Sequence, residues 1–290
     1  MSKRFFSGSI AEFDQNWRTL PLNERYHFKS GAPAHQLHYA FQSHWRVFRK
    51  VMGLVRGGKA LEVGCGRGSM AGYFAHAGFE THLLDSSPKA IKCAERNFAV
   101  DGLSANFYVG DALALPFSDS SFDTVVSIGL LEHFEDITQP VREQLRILRP
   151  GGIFLGYVVP ERPVSVQWLG APVNAFLRMM RFLSGKTSVK QKKKAIYRNT
   201  YRSEDYLHIA REFGVRETGS FGMFPVPLIS HSPTFPFTLL RARAEARIVN
   251  SWERLLNFNP GKDIKSRDPA RDPWTCPEGW GLAYLVYAIR

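Results

Sequence analysis

The sequence predicts an α/β fold in which helices flank a mainly parallel sheet. Between residues 59 and 157, short apolar segments alternate with helix-like segments at the spacing of βα units. The first apolar segment runs into a cluster of glycines, which is typical of a strand that ends at a ligand. The chain has 290 residues, 44% of them hydrophobic, which is enough for one large core.

Each element of this fold has a local signal in the sequence. Five central strands are predicted from apolar runs at residues 59–63, 80–85, 105–109, 122–128 and 153–158. The helices between them are predicted at 68–77, from Pro88 onward, and at 137–148, where Pro150 and two glycines end the last one. Further along, the pattern predicts a helix over 203–213 capped by Ser203, a strand over 215–224, a helix over 237–257 and a final strand over 283–289.

The net charge of +12 is unevenly distributed. Residues 57–156 carry a net charge of −4, so all of the excess positive charge lies on the flanks. A basic surface can attract an anionic substrate or anionic lipid, or it can simply keep the protein well solvated. Composition alone leaves both interpretations open.

Cysteine usage and hydropathy limit the compartment. The three cysteines are scattered, with no CxxC pair and no metal-ligand spacing, so no metal site is predicted. No stretch approaches the roughly 18 apolar residues of a membrane span, and no signal peptide is evident. We therefore expect a cytoplasmic protein.

The segment Leu61-Glu-Val-Gly-Cys-Gly-Arg-Gly68 is the most informative in the chain. Its glycines allow a tight turn and a close approach of backbone to ligand. The spacing is GxGxG, and Ser69 stands where a dinucleotide-binding GxGxxG loop has its third glycine. Glu62 precedes the loop and can meet a cationic amino group. A nicotinamide-dependent oxidoreductase is therefore the less favoured interpretation.

Two further carboxylates follow predicted strands. Asp85 ends the second strand, where a carboxylate can accept hydrogen bonds from both hydroxyls of a ribose. Asp111 follows the third strand and can accept from an adenine amino group, while the N–H of Ala112 can donate to a ring nitrogen. The three carboxylates together predict a nucleoside ligand that carries an amino group.

These segments resemble the class I S-adenosylmethionine-dependent methyltransferases, in particular the small-molecule group that includes ubiquinone, menaquinone and sterol methyltransferases. The resemblance covers about residues 55–225 and the final strand. It is carried by LEVGCGRG at 61–68, LLDSSP at 83–88, GDALALPFSDSSFD at 110–123, SIGLLEHF at 127–134 and RILRPGG at 146–152.

The resemblance implies a Rossmann-like seven-stranded sheet whose last strand is antiparallel, with S-adenosylmethionine as cofactor. It divides the chain into an N-terminal helical cap at 1–52 and a methyltransferase domain at 53–290. Within that domain, the cofactor-binding core spans 57–159, a helical insertion 160–200 and a C-terminal part 201–290. The residues it places at the cofactor are Glu62, Gly64, Cys65, Gly66, Gly68, Asp85, Ser86, Asp111, Ala112, Ile128 and Gly129.

The methyl acceptor is expected to be small and largely apolar or aromatic, with a negative group as one option. The flanks that should bind it are aromatic and basic, and all six tryptophans lie outside 57–156. His133, Tyr26 and Tyr39 are the candidates for catalytic or polar contacts near the methyl group. Enzymes that methylate exocyclic base nitrogens carry a Pro-Pro-Tyr-like turn after the fourth strand. Here that position reads Ser127-Ile-Gly-Leu-Leu131, so a nucleic-acid acceptor is not expected.

Two questions stay open at this stage. The apolar stretch and the lysines of residues 168–194 fit either a lid over the active site or a helix at the surface of an anionic membrane, where the acceptor would be a lipid, isoprenoid or quinone. The chain could also bind the cofactor without turnover, as an interaction module. The oligomeric state cannot be read from the sequence.

Overall fold

The computed structural model describes residues 26–53, 58–162, 165–183, 197–229 and 240–290. The first half of the expected N-terminal cap, residues 1–25, lies outside this description. So do most of the expected lysine-rich segment, at 184–196, and the start of the helix expected at 237–257.

A single mixed sheet forms the centre of the molecule, in the order β3-β2-β1-β4-β5-β8-β6-β7. The strands are β1 Lys59–Val63, β2 Glu80–Asp85, β3 Asn106–Val109, β4 Phe122–Ile128, β5 Leu148–Val158, β6 Glu217–Met223, β7 Thr275–Cys276 and β8 Ala283–Ile289. Strands β1 to β5 pair in parallel, so their carboxyl ends share one edge. The final strand is antiparallel to both neighbours, as expected.

The strand count differs from the sequence-based expectation of seven. The additional strand is β7, which pairs Thr275 with Met223 and Cys276 with Gly222 at the outer edge of β6. Two residues are too few to produce an alternating hydrophobic pattern, so only tertiary pairing reveals this strand.

The fifth strand also begins earlier than expected. Phe122 of β4 pairs with Leu148, but Thr124 pairs with Ile153, so the register shifts between these two pairs. Residues 149–152 form an irregular, bulge-like part of β5 at this point. Gly151 adopts a φ of +78°, and its N–H donates to the carbonyl of Arg290 in the last strand's extension. The Pro-Gly-Gly segment therefore bends a strand, whereas the sequence pattern suggested that it ends a helix.

Helices cover both faces of the sheet. They are α1 Gln36–Val51, α2 Ala71–His76, α3 Pro88–Asp101, α4 Thr138–Arg146, α5 Gln167–Leu183, α6 Ser203–Glu212 and α7 Ala242–Asn257. Apolar side chains of α1, α2 and α7 share one core with the sheet, and those of α4 and α6 share a second core on the opposite face. Within the described ranges, no helix has the length and apolarity needed to cross a bilayer.

The start of α6 differs by one residue from the expected cap at Ser203. The N-cap position is Arg202, whose N–H donates to the Asp205 carboxylate at 2.7 Å. The helix ends before Gly214, which has a φ of +86°. A carboxylate in the first turn thus accepts from the N-cap N–H, whereas a capping serine would accept from an N–H within the first turn.

Helix α1 is an integral part of the first core. Ala40, Val47 and Phe48 are fully buried in the same apolar cluster as Val126 and Leu155 of the sheet. Position spacing of three, four and seven residues explains this one-sided burial.

A buried polar cluster fixes α1 to the C-terminal loop. Asp272 accepts from Arg46 Nε at 2.9 Å and lies 2.6 Å from Lys50 Nζ. Beside it, Trp274 Nε1 donates to His44 Nδ1 at 2.9 Å. A buried carboxylate with two cationic partners is costly to break, so α1 and residues 272–274 should move together.

Candidate functional site

The carboxyl ends of β1, β2 and β4 meet at a glycine-rich turn. The N–H groups of Gly64 and Cys65 both donate to the Leu84 carbonyl, at 2.8 and 3.0 Å, so the turn is fixed to the end of β2. Gly64 has a φ of +69°, and a Cβ there would lie 2.7 Å from Leu130 Cδ1. Backbone conformation and close packing both require glycine at this position.

The third glycine of the turn is required for a similar reason. Gly68 has a φ of +75°, and a Cβ would approach Leu83 and Phe98 to 2.7 and 2.8 Å. Gly66 also has a positive φ, of +53°. The GxGxG spacing therefore encodes a run of left-handed backbone that other residues tolerate poorly.

Asp85 anchors this turn. One of its carboxylate oxygens accepts from Gly66 N–H at 2.9 Å, and the other accepts from Ser87 N–H at 2.9 Å. Burial raises the pKa of the carboxyl above its usual range, although these two hydrogen bonds oppose the rise. Each oxygen keeps a second lone pair, so the expected ribose contact remains geometrically open. The sequence did not reveal that the same side chain holds the loop.

Glu62 is the second buried acid. Its Oε2 accepts from Ala71 N–H at 2.7 Å, at the start of α2. Burial raises the pKa of Glu62 to about 8, and the neighbouring Asp85 adds to the rise. Neither carboxylate forms an ion pair with any side chain in the described ranges. The site therefore holds two desolvated acids and would be stabilised by a cation.

The third expected contact group lies at the open side of the same edge. Asp111 is exposed, and its Oδ1 accepts from Leu113 N–H at 3.0 Å, while Ala112 beside it is buried. Ser86 is exposed next to Asp85, and Ser87 is the residue that caps α3. The structure thus brings Glu62, Asp85 and Asp111 to the ends of three adjacent strands.

The end of β4 closes the site from the other side. Gly129 follows Ile128 with a φ of +64°, and its N–H donates to the Tyr157 carbonyl at 2.9 Å. The nearest atom to a Cβ at Gly129 would be Glu132 Oε1, at 3.6 Å. The short 3₁₀ turn Leu131–His133 therefore carries its side chains directly beside this strand end.

His133 has a positioning contact in the structure. Its Nδ1 lies 2.7 Å from the Tyr197 carbonyl, and because a carbonyl can only accept, Nδ1 carries the proton. Burial lowers the pKa of His133 to about 4. A neutral imidazole held in this way connects the turn after β4 to the chain that follows the insertion.

Asn199 extends the same connection. Its side-chain amide donates to the carbonyls of Leu131 and Phe134, both at 3.0 Å, and its N–H donates to the Glu132 carbonyl at 2.7 Å. Residues 197–201 are thereby fixed along the turn after β4. This contact spans more than sixty residues and has no local sequence signal.

Glu132 is the functional candidate that sequence reasoning missed. It is fully buried, and its Oε2 has no hydrogen-bond partner among the described residues. Burial raises its pKa to about 7, while nearby Arg198 opposes the rise. A carboxyl that titrates near neutrality beside a cofactor edge is suited to accept a proton. The acidic position in the Leu-Leu-Glu-His-Phe segment was its only sequence signal.

The other chemical candidates occupy packing positions. The hydroxyl of Tyr26 donates to Asp101 at 2.6 Å, and Tyr39 packs against Trp252 and Trp274. Burial raises the pKa of the Cys65 thiol well above its usual value, which makes it a poor nucleophile. The structure thus gives Tyr26 and Tyr39 partners within the protein, and their contact with the methyl group stays a prediction, as does the cofactor contact of Cys65.

Comparison with known proteins agrees with this geometry. A family model described as a methyltransferase domain matches residues 61–156. Norajmaline N-methyltransferase from Rauvolfia serpentina is 36% identical over 102 residues, which are 33% of this chain and 35% of that protein. Sterol 24-C-methyltransferase from Aspergillus fumigatus is 29% identical over 157 residues, 53% of this chain and 40% of that protein. The chain thus matches between a third and a half of the length of these relatives.

Solved structures show the same architecture over a longer stretch. The [4+2]-cyclase SpnF superposes with a TM-score of 0.50 at 19% identity, covering 97% of this chain and 92% of that one. At this identity the likeness concerns the fold alone. Together with the glycine-loop geometry, the domain match shows that residues 61–156 are similar to the methyltransferase domains of S-adenosylmethionine-dependent enzymes, and the superposition shows that the chain has their Rossmann-like fold.

Proposed function

We propose that the protein transfers the methyl group of S-adenosylmethionine to a small, largely apolar acceptor. The observation that carries this proposal is the placement of Glu62, Asp85 and Asp111 at the ends of three adjacent strands around a glycine turn. Such a set of acceptors matches a ligand that offers an ammonium group, two ribose hydroxyls and an adenine amino group.

When bound, S-adenosylmethionine supplies a methyl group on a positively charged sulfur. The chain's own contribution is binding, orientation and exclusion of water. Glu62 and Asp85 lie in a desolvated cleft, where a cationic ligand would favour their ionised forms and interact strongly with them. Gly64 leaves room for the Leu130 side chain, so the turn after β1 packs closely against the end of β4.

The acceptor side is proposed to lie at the end of β4, where Glu132 can take the proton that an O–H or N–H nucleophile must lose. In that step the nucleophile would form a bond to the methyl carbon as the carbon–sulfur bond breaks, the electron pair would stay on the sulfur of the demethylated cofactor, and the proton of the nucleophile would pass to the Glu132 carboxylate. With a pKa near 7, the carboxylate is partly ionised at neutral pH, as a general base requires. His133 and Asn199 act as positioning residues, since both tie residues 197–199 to this turn.

Two acceptor classes fit the relatives. The two relatives are a norajmaline N-methyltransferase and a sterol 24-C-methyltransferase, and a sterol is a mostly apolar molecule. We favour a small apolar or aromatic metabolite. A membrane-associated lipid is the second candidate, because α5 exposes a row of apolar side chains.

All three cysteines are free, which agrees with a reducing, cytoplasmic location.

Calorimetry with S-adenosylmethionine and with NAD tests the cofactor half of the proposal. We expect binding of the first and none of the second; the opposite result would contradict it. Transfer is tested by incubating the protein and labelled S-adenosylmethionine with a metabolite extract and with a lipid extract. Because the cyclase SpnF shares the fold, cofactor binding without labelled product in either extract would favour a non-methylating role.

A further inference from the structure

Helix α5 turns its polar and small residues toward the body of the protein. Gln167 exchanges two hydrogen bonds with the backbone of Leu228, at 2.8 and 2.9 Å, and Asn174 donates to the same carbonyl at 3.2 Å. Gly170, between them on this face, packs against Pro227 and Ile229. The side that faces the protein is therefore held by amide hydrogen bonds and close backbone packing.

The opposite side of α5 is apolar and exposed. At about 100° per residue, the exposed side chains centre on the direction opposite to Gln167 and Asn174. Their exposed fractions range from 43% to 70%, and they are Trp168, Leu169, Val173, Phe176, Met179, Met180 and Leu183. A surface helix of a globular protein normally has the reverse arrangement. A contiguous apolar strip of this kind indicates a binding surface.

The charge of the surrounding chain narrows the choice of partner. Between Pro163 and Ser203 the sequence contains nine lysines and arginines and no aspartate or glutamate. Two copies that met through this face would bring like charges together, so self-association is disfavoured. A nucleic acid would match the charge but not the row of aliphatic and methionine side chains.

We propose that the outer face of α5 docks the protein onto an anionic lipid bilayer. Large apolar and aromatic side chains can enter the boundary between headgroups and acyl chains, and the positive charge of the sequence between 163 and 203 favours anionic headgroups. A bilayer accepts such a strip without a complementary protein surface. In this structure the strip points away from the protein, which separates docking from closure of a lid. The inference concerns membrane contact and stands whether or not methyl transfer is established.

The test is sedimentation of the full chain with vesicles of phosphatidylcholine alone and of phosphatidylcholine with phosphatidylglycerol. We expect binding to the anionic vesicles, weakened by high salt, and much less binding to the neutral ones. Replacing Phe176, Met179 and Met180 together by serine should reduce the partition coefficient on the order of a hundredfold. Calorimetry of the same variant should show unchanged binding of S-adenosylmethionine, which separates this test from that of the cofactor site.

The matched control replaces three exposed apolar residues elsewhere, Val100, Leu255 and Phe258, by serine. These side chains are 63% to 89% exposed, so the control removes similar apolar surface away from α5. The control should bind vesicles like the unchanged protein, and thermal melting should show both variants folded. Equal binding by both variants would overturn the proposal. So would a dimer in size-exclusion chromatography that only the α5 variant loses, because it would identify a second copy as the occupant.

Discussion

Replacing Glu62 by glutamine should stabilise the ligand-free protein while weakening cofactor binding. The glutamine keeps an oxygen that can accept from Ala71 N–H, the contact that Glu62 makes at 2.7 Å. What it removes is a carboxyl that is ionised in the unfolded chain at pH 7 but must take up a proton when it is buried beside Asp85. This protonation costs folding energy in the empty cleft, and the ionised form becomes favourable only when a cationic group occupies that cleft.

The size of the effect follows from the pKa. Burial raises the pKa of Glu62 from 4.5 to about 8, so between these values the folded protein holds one proton more than the unfolded chain. Stability due to this group is therefore greatest below pH 4.5 and falls as pH rises toward 8. At about 1.4 kcal/mol per pH unit, the loss by pH 7 is about 3 kcal/mol. Glu62→Gln should recover an amount of this order at pH 7 and nothing at pH 4.

Urea unfolding of the ligand-free protein at pH 4, 7 and 8.5 measures this difference, and calorimetry measures the affinity for S-adenosylmethionine. The matched control is Glu80→Gln on the exposed end of β2, where hydrogen bonds to His82 and Lys59 lower the pKa of the carboxyl. That control should show no stabilisation at neutral pH. A Glu62 variant that is destabilised at pH 7, or that binds the cofactor as tightly as the original chain, would refute the reasoning.

Three other substitutions test the remaining parts of the site. Asp85→Ala should weaken cofactor binding by about 1.5–3 kcal/mol and also lower stability by about 1–3 kcal/mol, since two backbone N–H groups lose their partner; calorimetry and urea unfolding check both. Gly64→Ala should cost at least about 1–2 kcal/mol from its positive φ alone, with Leu130 adding strain, and a fall in melting temperature measures it. Glu132→Gln should reduce kcat/KM on the order of a hundredfold and remove the rise in rate through pH 7; an unchanged pH–rate profile would exclude it as the base.

The cofactor half of the site could be predicted because its signals are local. The left-handed backbone at positions 64 and 68 requires glycine, and the sequence shows glycine at both. Asp85 lies at the end of a strand that the apolar pattern predicts. The order of strands and helices follows from alternating patterns within a few residues. The sequence pattern did not predict that Asp85 also anchors the glycine turn, because its hydrogen bond to Gly66 joins two segments that are distant in sequence.

The acceptor half depends on contacts between distant segments. Complete burial raises the pKa of Glu132, and the backbone of its turn is hydrogen-bonded to Asn199, which is distant in sequence. The outward strip of α5 is visible only once Gln167 and Asn174 are seen to bind Leu228. From sequence, the same helix was equally compatible with a lid.

The structure relates the acidic central segment and the basic flanks of the sequence to two different parts of the molecule. The acidic central segment places carboxylates such as Glu62 and Asp85 inside the cleft, where burial limits their screening by water and salt. The basic residues lie on the flanks of the sequence, and nine of them fall between 163 and 203, the segment that contains the exposed apolar helix face. If both proposals hold, the cationic cofactor and the anionic lipid bind to different parts of the molecule: the cofactor in the acidic cleft, and the lipid at the outer face of α5. Raising the salt concentration should therefore weaken vesicle binding far more than cofactor binding, because only the cofactor's partners are buried.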